Sequence, residues 1–304
     1  MKRILITGTN GFLANRLIDF CEGDVHGISR YDNHKTNKNK KVTTHYGDIL
    51  DLEFVKRVLS DNEIDTVFHL AAQSIVRIAN SNPLNCFSSN IMGTVIVLEA
   101  VRQINPKIKV ICASSDKAYG EHTTLPYYED MALQSGDPYS TSKACGDLVA
   151  QSYHKTYGLN VNIVRSANIY GHGDMNLSRL IPNAITKILN GEKPVVYSGV
   201  LGYKREFIFI DDVCKAYTCI AEKGKAGEAY NTGTGDVYRV GGLIEKICEL
   251  MNWNEGIDIV QKSFPEITTQ YLSSEKIKQL GWAPQILMGE GLKKTIDWYK
   301  NKFK

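Results

Sequence analysis

Short apolar runs alternate with amphipathic stretches through the first half of the chain. Apolar, β-branched runs at 2–7, 25–29, 42–46, 65–69, 109–114 and 160–166 read as buried strands. Helical spacing fills 11–21, 51–61, 83–104 and 138–157. Near-continuous apolar strands separated by helices predict a doubly wound, parallel α/β sheet covered on both faces. Beyond Ser166 the rhythm breaks. Gly171-His172-Gly173-Asp174, Gly191-Glu192-Lys193-Pro194 and Gly233-Thr234-Gly235-Asp236 are loop signals. Helical patterns near 177–190, 240–252, 274–280 and 289–301 predict a smaller mixed lobe.

Composition narrows the class without changing this picture. The 304 residues are 43% hydrophobic, which suits a globular protein of one large or two smaller domains. A net charge of +3 and the absence of a long basic run argue against a nucleic-acid partner, and the Lys/Asn-rich stretch from Lys35 to Lys41 reads as a solvated loop. No long apolar segment stands out, so no membrane span is expected. The chain opens directly into a strand, and no signal peptide is expected. Seven cysteines without CxxC spacing predict reduced thiols in a cytoplasmic setting. The seven histidines show no metal-ligand pairing, and no metal is expected.

Three segments carry candidate chemistry. Gly8-Thr9-Asn10-Gly11-Phe12-Leu13-Ala14 follows the first strand and opens a helix. A glycine-rich turn there lets backbone approach a pyrophosphate at the helix N-terminus, although the Gly-x-x-Gly-x-x-Ala spacing departs from Gly-x-Gly-x-x-Gly. Ser114-Ser115-Asp116-Lys117 follows another buried strand, where open parallel sheets bind ligands. Tyr139 and Lys143 stand four apart on a helix, hence on one face. An ammonium beside a phenol of pKa about 10 is expected to favour the phenolate and make it a base for an alcohol proton. After the second strand, Ser29-Arg30 stands where an NAD site usually carries an acidic residue; Asp32 lies three residues past Ser29. A hydroxyl and a guanidinium suit a 2′-phosphate, so NADP is expected over NAD.

Together these segments resemble the extended short-chain dehydrogenase/reductase family of sugar-nucleotide epimerases and dehydratases. Further matching pieces are His69-Leu70-Ala71-Ala72, Asn90 with Gly93-Thr94, Arg165 to Gly171, and Arg205-Glu206-Phe207-Ile208 before Asp211-Asp212. The tail, Leu280-Gly281-Trp282-Ala283-Pro284, then Gly291-Leu292 and Trp298-Tyr299, also looks familial. The resemblance covers essentially the whole chain. It implies a Rossmann-type dinucleotide domain, 1–168 plus about 206–230, and a sugar-nucleotide lobe, about 169–205 plus 231–304. It implies cofactor contacts at Gly8, Asn10, Gly11, Phe12, Leu13, Ser29, Arg30, Asp48, Ile49, Leu70, Ala71, Ala72, Tyr139 and Lys143. Members often dimerise through helices equivalent to 83–104 and 138–157, so a homodimer is expected.

The resemblance also assigns catalytic roles. Ser115 would orient a sugar 4-hydroxyl, Tyr139 would take its proton, and Lys143 would hold the nicotinamide ribose. Epimerases return hydride to the other face of C4, whereas dehydratases lose water from C5 and C6. Dehydratases carry an acid after the Ser or Thr, which Asp116 matches. The usual following Glu is Lys117 here, and Asp116-Lys117 is similar to CDP-glucose 4,6-dehydratases. Ser29-Arg30 resembles NADP-using GDP-mannose dehydratases. Asn168, Arg179 and Arg205 are expected to bind the nucleotide sugar. The expected activity is a nucleotide-hexose 4,6-dehydratase acting on a CDP- or GDP-hexose. A 4-epimerase, an NADPH-dependent reductase of a 4-keto-6-deoxysugar and a non-catalytic NADP sensor remain as alternatives.

Overall fold

A computed structural model describes residues 1–31, 42–261 and 267–303. The strands in chain order are β1 (Arg3–Thr7), β2 (Asp24–Ser29), β3 (Val42–Tyr46), β4 (Thr66–His69), β5 (Lys109–Ala113), β6 (Val161–Ser166), β7 (Asn168–Tyr170), β8 (Val195–Tyr197), β9 (Lys204–Phe209), β10 (Ala229–Thr232), β11 (Val237–Arg239), β12 (Asp258–Val260) and β13 (Thr269–Gln270). Seven of them form one parallel sheet in the order β3-β2-β1-β4-β5-β6-β10. The chain direction across the sheet reverses between β1 and β4. Doubly wound sheets open a ligand crevice at such a reversal, beyond the carboxyl ends of the strands.

Strand alternation builds a core on each side of the sheet. On one face Ile4, Ile6, Phe68 and Ile111 pack with Val213, Ala216, Tyr217 and Ile220. On the other, Leu5, Val67 and Val110 pack with Val55, Val58 and Leu59, and with Val97, Leu98 and Val101. The covering helices are α1 (Phe12–Leu17), α2 (Leu52–Asp61), α3 (Val76–Ser81), α4 (Pro83–Phe87), α5 (Gly93–Ile104), α6 (Pro138–Tyr157), α7 (Leu180–Leu189) and α8 (Ile210–Lys223). The smaller lobe adds α9 (Val240–Leu250), α10 (Glu275–Lys278) and α11 (Met288–Lys302).

The expected helix over 83–104 is interrupted: a five-residue π turn, Ser88–Met92, joins α4 to α5. Contrary to the reading from sequence, Pro83–Ile104 is long and apolar enough to cross a membrane by length and composition. Its inward face packs on α2 and α6, as the core helix of a sheet-based domain does.

In the smaller lobe β9 pairs with β7, β11 and β13. The segment 206–230 is therefore divided. β9 belongs to the small sheet, α8 packs on the large one, and β10 joins the large sheet beside β6. β7 and β9 run side by side just past the end of β6, which brings the small sheet against the crevice.

Candidate active site

The glycine turn is shaped by close approach. Gly8 sits at φ +73°, and a Cβ there would lie 2.9 Å from the Ala71 Cα, so any side chain meets backbone. Its N–H donates to the Ile28 carbonyl at 2.9 Å, and the Gly11 N–H donates to the Gly8 carbonyl at 2.8 Å. Gly11 then caps α1 without a side chain, and Phe12 and Leu13 are half-buried beyond it. Asn10 Nδ2 donates to Ser29 Oγ at 2.7 Å and to the Tyr31 carbonyl at 3.0 Å, so turn and strand end are fixed together. Arg30 is exposed, its guanidinium 5.7 Å from the Tyr31 ring centroid. Asp32 lies outside the described residues. Asp48 is exposed and accepts the Leu50 N–H at 3.0 Å, while Ile49 is buried against Gly93. Leu70, Ala71 and Ala72 line the same crevice from the end of β4. This arrangement fits a dinucleotide: bare backbone at the turn, polar groups at the end of β2 and an apolar wall after β3.

A buried polar chain anchors this wall. Thr7 Oγ1 accepts the Leu70 and Ala71 N–H groups at 3.1 and 3.0 Å. It also contacts His69 Nδ1 at 3.0 Å, while His69 Nε2 lies 3.1 Å from Thr94 Oγ1. Thr94 Oγ1 donates to the Asn90 carbonyl at 2.7 Å, which leaves it to accept from His69 Nε2–H. His69 Nδ1 then accepts from the Thr7 hydroxyl. Burial, aided by the nearby Lys143 charge, pushes His69 down to about 3, so it is the neutral tautomer. Asn90, on the π turn, donates to Ser142 Oγ at 2.8 Å and to the Gln73 carbonyl at 3.1 Å, and accepts the Gln73 N–H at 2.7 Å. Ser142 Oγ donates to the Tyr139 carbonyl at 2.7 Å. A polar cavity of about 10 Å³, lined by Asn90, Ser114, Ser142, Lys143 and Asp147 among others, lies behind Lys143 and has room for one water. Sequence reading assigned no role to Thr7, His69 or Ser142. The signal available was a polar residue ending each of two otherwise apolar strands.

The reacting groups meet at the ends of β5 and α6. Asp137 caps α6 by accepting the Tyr139 and Ser140 N–H groups at 3.0 and 3.2 Å, and Pro138 fills the first turn. This sets Tyr139 and Lys143 one turn apart, both buried. Lys143 Nζ donates to the Ala113 carbonyl at 2.9 Å, and burial pushes it down to about 8. Burial pushes the Tyr139 phenol up to about 12; the neighbouring Ser115 side chain and the Arg179 charge act against that rise. The expectation that Lys143 lowers the phenol is thus not met. Its amine is turned to a carbonyl, and desolvation of the phenolate dominates.

Ser115 caps a short 3₁₀ turn, Asp116–Tyr119, and its Oγ donates to Asp116 Oδ1 at 3.0 Å. Asp116 is 1% exposed. Lys117 Nζ reaches Asp116 Oδ1 at 3.2 Å and Asn168 Oδ1 at 3.0 Å. Asp116 Oδ2 is buried and has no hydrogen-bond partner among the described residues. Asn168, expected at the substrate, donates to the Glu206 carbonyl at 2.9 Å, so it links Lys117 to β9. Arg179 pairs with buried Asp174 at 2.9 Å, its guanidinium 5.8 Å from the Phe12 ring centroid, and so spans from α7 to the glycine turn. Arg205 donates to the Thr268 carbonyl at 3.2 Å and faces Tyr203. Ser115, Asp116, Lys117, Tyr139 and Asn168 thus form one connected cluster, with Arg179 beside it. No group of three or more metal-ligating side chains occurs among the described residues, and their seven cysteines are all free thiols.

A glycine-turn dinucleotide crevice facing a buried Ser-Asp-Lys-Tyr cluster defines a nicotinamide-dependent enzyme with a second, smaller lobe beside that cluster. The profile of the NAD dependent epimerase/dehydratase family matches residues 4–233, and the chain belongs to that family. Human dTDP-D-glucose 4,6-dehydratase is 31% identical over 324 residues, covering 99% of this chain and 91% of that protein. The crystal structure of dTDP-glucose 4,6-dehydratase from Bacillus anthracis, in complex with NAD, superposes with a TM-score of 0.90 at 27% identity, covering 99% of this chain and 97% of that one. UDP-glucose 4-epimerase from Thermotoga maritima, with UDP-glucose, gives 0.93 at 26% identity, covering 99% and 100%.

Proposed function

We propose that the protein is a nucleotide-hexose 4,6-dehydratase. The observation that carries this reading is the buried Asp116 carboxylate beside Ser115 and Tyr139, with one oxygen unpartnered. A 4-epimerase needs to move only the 4-hydroxyl proton and a hydride; an acid next to the same serine has work in losing water. Ser115 orients the 4-hydroxyl, and Tyr139 accepts its proton as the phenolate, the form that the positive charge of a bound oxidised nicotinamide would favour against the burial that raises the phenol. The bound dinucleotide supplies a reversible hydride acceptor for C4. The resulting 4-ketone acidifies the C5 hydrogen. The Asp116–Lys117 pair holds one proton between its two groups. With that proton on Asp116, the free Lys117 amine, held by Asn168, takes the C5 proton, and Asp116 gives its proton to the departing 6-hydroxyl, which leaves as water. The Lys117 ammonium so formed stabilises the enolate; hydride then returns to C6, Lys117 returns the proton to C5, and the proton taken by Tyr139 resets the pair. Arg205 and Arg179 suit the diphosphate, because a guanidinium fork binds two oxygens at once.

Incubation with CDP-, GDP-, UDP- and dTDP-hexoses, followed by mass spectrometry, tests this. The expected product is lighter by one water. A product of unchanged mass with inverted C4 overturns the reading in favour of the epimerase. The similar proteins are named for dTDP- and UDP-sugars, so all four bases belong in the panel. NADP is our preferred cofactor, on the exposed Arg30 beside Ser29. The solved dehydratase neighbour holds NAD, and parallel titrations of wild type and Arg30→Ala with both dinucleotides decide between them. We also read the protein as a homodimer. Leu84, Met92 and Leu148 stand 77%, 48% and 53% exposed on the helices α4 to α6, an apolar face that a second copy would cover. Light scattering of Leu148→Asp tests that reading.

A further inference from the structure

Glu206 is fully buried at the centre of the small sheet, and nothing in the reaction described above uses its carboxylate. Oε1 accepts the Gly235 N–H at 2.5 Å, and Oε2 accepts the Leu272 N–H at 2.8 Å. These donors come from two separate segments, one leading into β11 and one leaving β13. Gly233 must lack a side chain for this, since a Cβ there would lie 2.3 Å from Glu206 Oε1. The Glu206 main chain makes a contact of its own. Its carbonyl accepts from Asn168 Nδ2 at 2.9 Å, and Asn168 Oδ1 in turn holds Lys117 Nζ at 3.0 Å.

We propose that Glu206 is a positioning residue for the loss of water, acting on Lys117 through its own carbonyl and Asn168. The proposal rests on the dehydratase reading. The carboxylate ties two segments of the small lobe, one leading into β11 and one leaving β13, to one point of β9, and Asn168 reads the position of that point and transmits it to Lys117. The amine is then held between Asp116 and Asn168, at a fixed place beside the sugar. Burial and the nearby Asp116 charge push the Glu206 carboxyl up to about 7, and the two backbone N–H groups act against that rise. Such a group is held against its desolvation cost, and a hydrophobic residue of similar volume would fill the same space without it. The connection to Lys117 gives the retention of the carboxylate a purpose beyond packing.

Glu206→Gln keeps the size but leaves Gly235 or Leu272 N–H without its acceptor. With the hexose that wild type dehydrates, a single turnover reads hydride transfer from C4 by nicotinamide absorbance and dehydration by mass. The expected result is hydride transfer within about threefold of wild type and dehydration slowed on the order of ten- to a hundredfold. Asn168→Ala should give the same split, and the double variant should be no slower than either single one. Equal loss of both steps in Glu206→Gln, or additive losses in the double variant, overturns the proposal. Should Glu206→Gln fail to fold, Glu206→Asp and Asn168→Ala decide: undiminished dehydration in Asn168→Ala overturns it, and a selective loss in both supports it. A wild type that inverts C4 without losing water overturns the dehydratase reading itself and this proposal with it. A dehydrating wild type with unselective variants overturns this proposal alone.

Discussion

His69 offers a measurement of how tightly the wall of the crevice is built. It is 4% exposed, and both ring nitrogens are used by hydroxyl partners, Thr7 and Thr94. Its pKa falls from an ordinary 6.5 to about 3, first through burial and then through the Lys143 charge. At neutral pH the ring is uncharged in both folded and unfolded chains and contributes no pH dependence. As pH drops below 6.5 the unfolded chain takes up a proton that the folded chain refuses until about 3. Folded stability is therefore lost on acidification across that window, at about 1.4 kcal/mol per pH unit. Between about pH 6.5 and pH 4 the loss is about 3 kcal/mol, and it saturates near 5 kcal/mol below pH 3. His69→Gln can accept from Thr7 and donate to Thr94, and it does not titrate. Urea unfolding of both proteins at stepped pH is the assay. The variant is expected to be the less stable at neutral pH, and the gap should narrow by about 3 kcal/mol by pH 4. Carboxylate protonation affects both proteins alike and cancels in the difference. Curves that stay parallel down to pH 4 would refute a neutral, buried His69.

Tyr139→Phe should retain dinucleotide binding and lose turnover by about two to four orders of magnitude, read by titration and by product formation. Gly8→Ala forces a Cβ to 2.9 Å from the Ala71 Cα at φ +73°; it should destabilise by about 1–3 kcal/mol and weaken dinucleotide binding, both read by thermal unfolding with and without cofactor. Arg165 and Asp147 form a buried two-point pair at 2.8 and 3.0 Å, with side chains 3% and 0% exposed. Asp147→Ala strands the guanidinium and should cost about 3–5 kcal/mol in denaturant unfolding, whereas loss of an exposed pair such as Lys246–Glu249 should cost less than about 1 kcal/mol.

Six of the seven strands of the large sheet were legible, most clearly those such as β1 and β5 that are apolar on both faces; β10, Ala-Tyr-Asn-Thr, was not read as a strand. Ile4-Leu5-Ile6 and Val110-Ile111 fill opposite cores from adjacent positions, which is what an unbroken apolar run means in a parallel sheet. The small lobe was not legible in the same way. β7, β8 and β11 are three residues each and β13 is two, so the two-residue period never repeats within any of them. The π turn at Ser88–Met92 left no mark either, since its apolar spacing continues the helical pattern on both sides. Among the site residues, Tyr139 and Lys143 could be paired from helical spacing alone. What spacing could not give was their environment. A solvent-exposed pair would have shifted the phenol down, and the buried one shifts it up. Asn168 was placed at the substrate, and its contact with Lys117 depends on β7 lying beside β9, a pairing across 39 residues that no local pattern carries.

That pairing also explains how one site can hold two kinds of chemistry. On the dehydratase reading, the groups that handle the 4-hydroxyl are Ser115, Tyr139 and Lys143, which stand past the end of β5 and on α6. Their geometry is complete without the small lobe. Asp116 and Lys117 are different, because Lys117 reaches across to Asn168, and Asn168 to β9. On that reading, proton removal from the 4-hydroxyl belongs to the large-sheet domain, and the charge arrangement beside C5 and C6 is shared with the small sheet through Asn168. An enzyme that only inverts C4 has no need of that shared contact and could replace Asp116 or Lys117 by small neutral residues without disturbing its first step. In this chain the bridge is built from a carboxylate, an ammonium and an amide in series, with one carboxylate oxygen buried and without a hydrogen-bond partner among the described residues. The cost of keeping that oxygen buried and unpartnered, about 1–3 kcal/mol or more for a charged group, is what a catalytic acid would carry and a structural contact would shed.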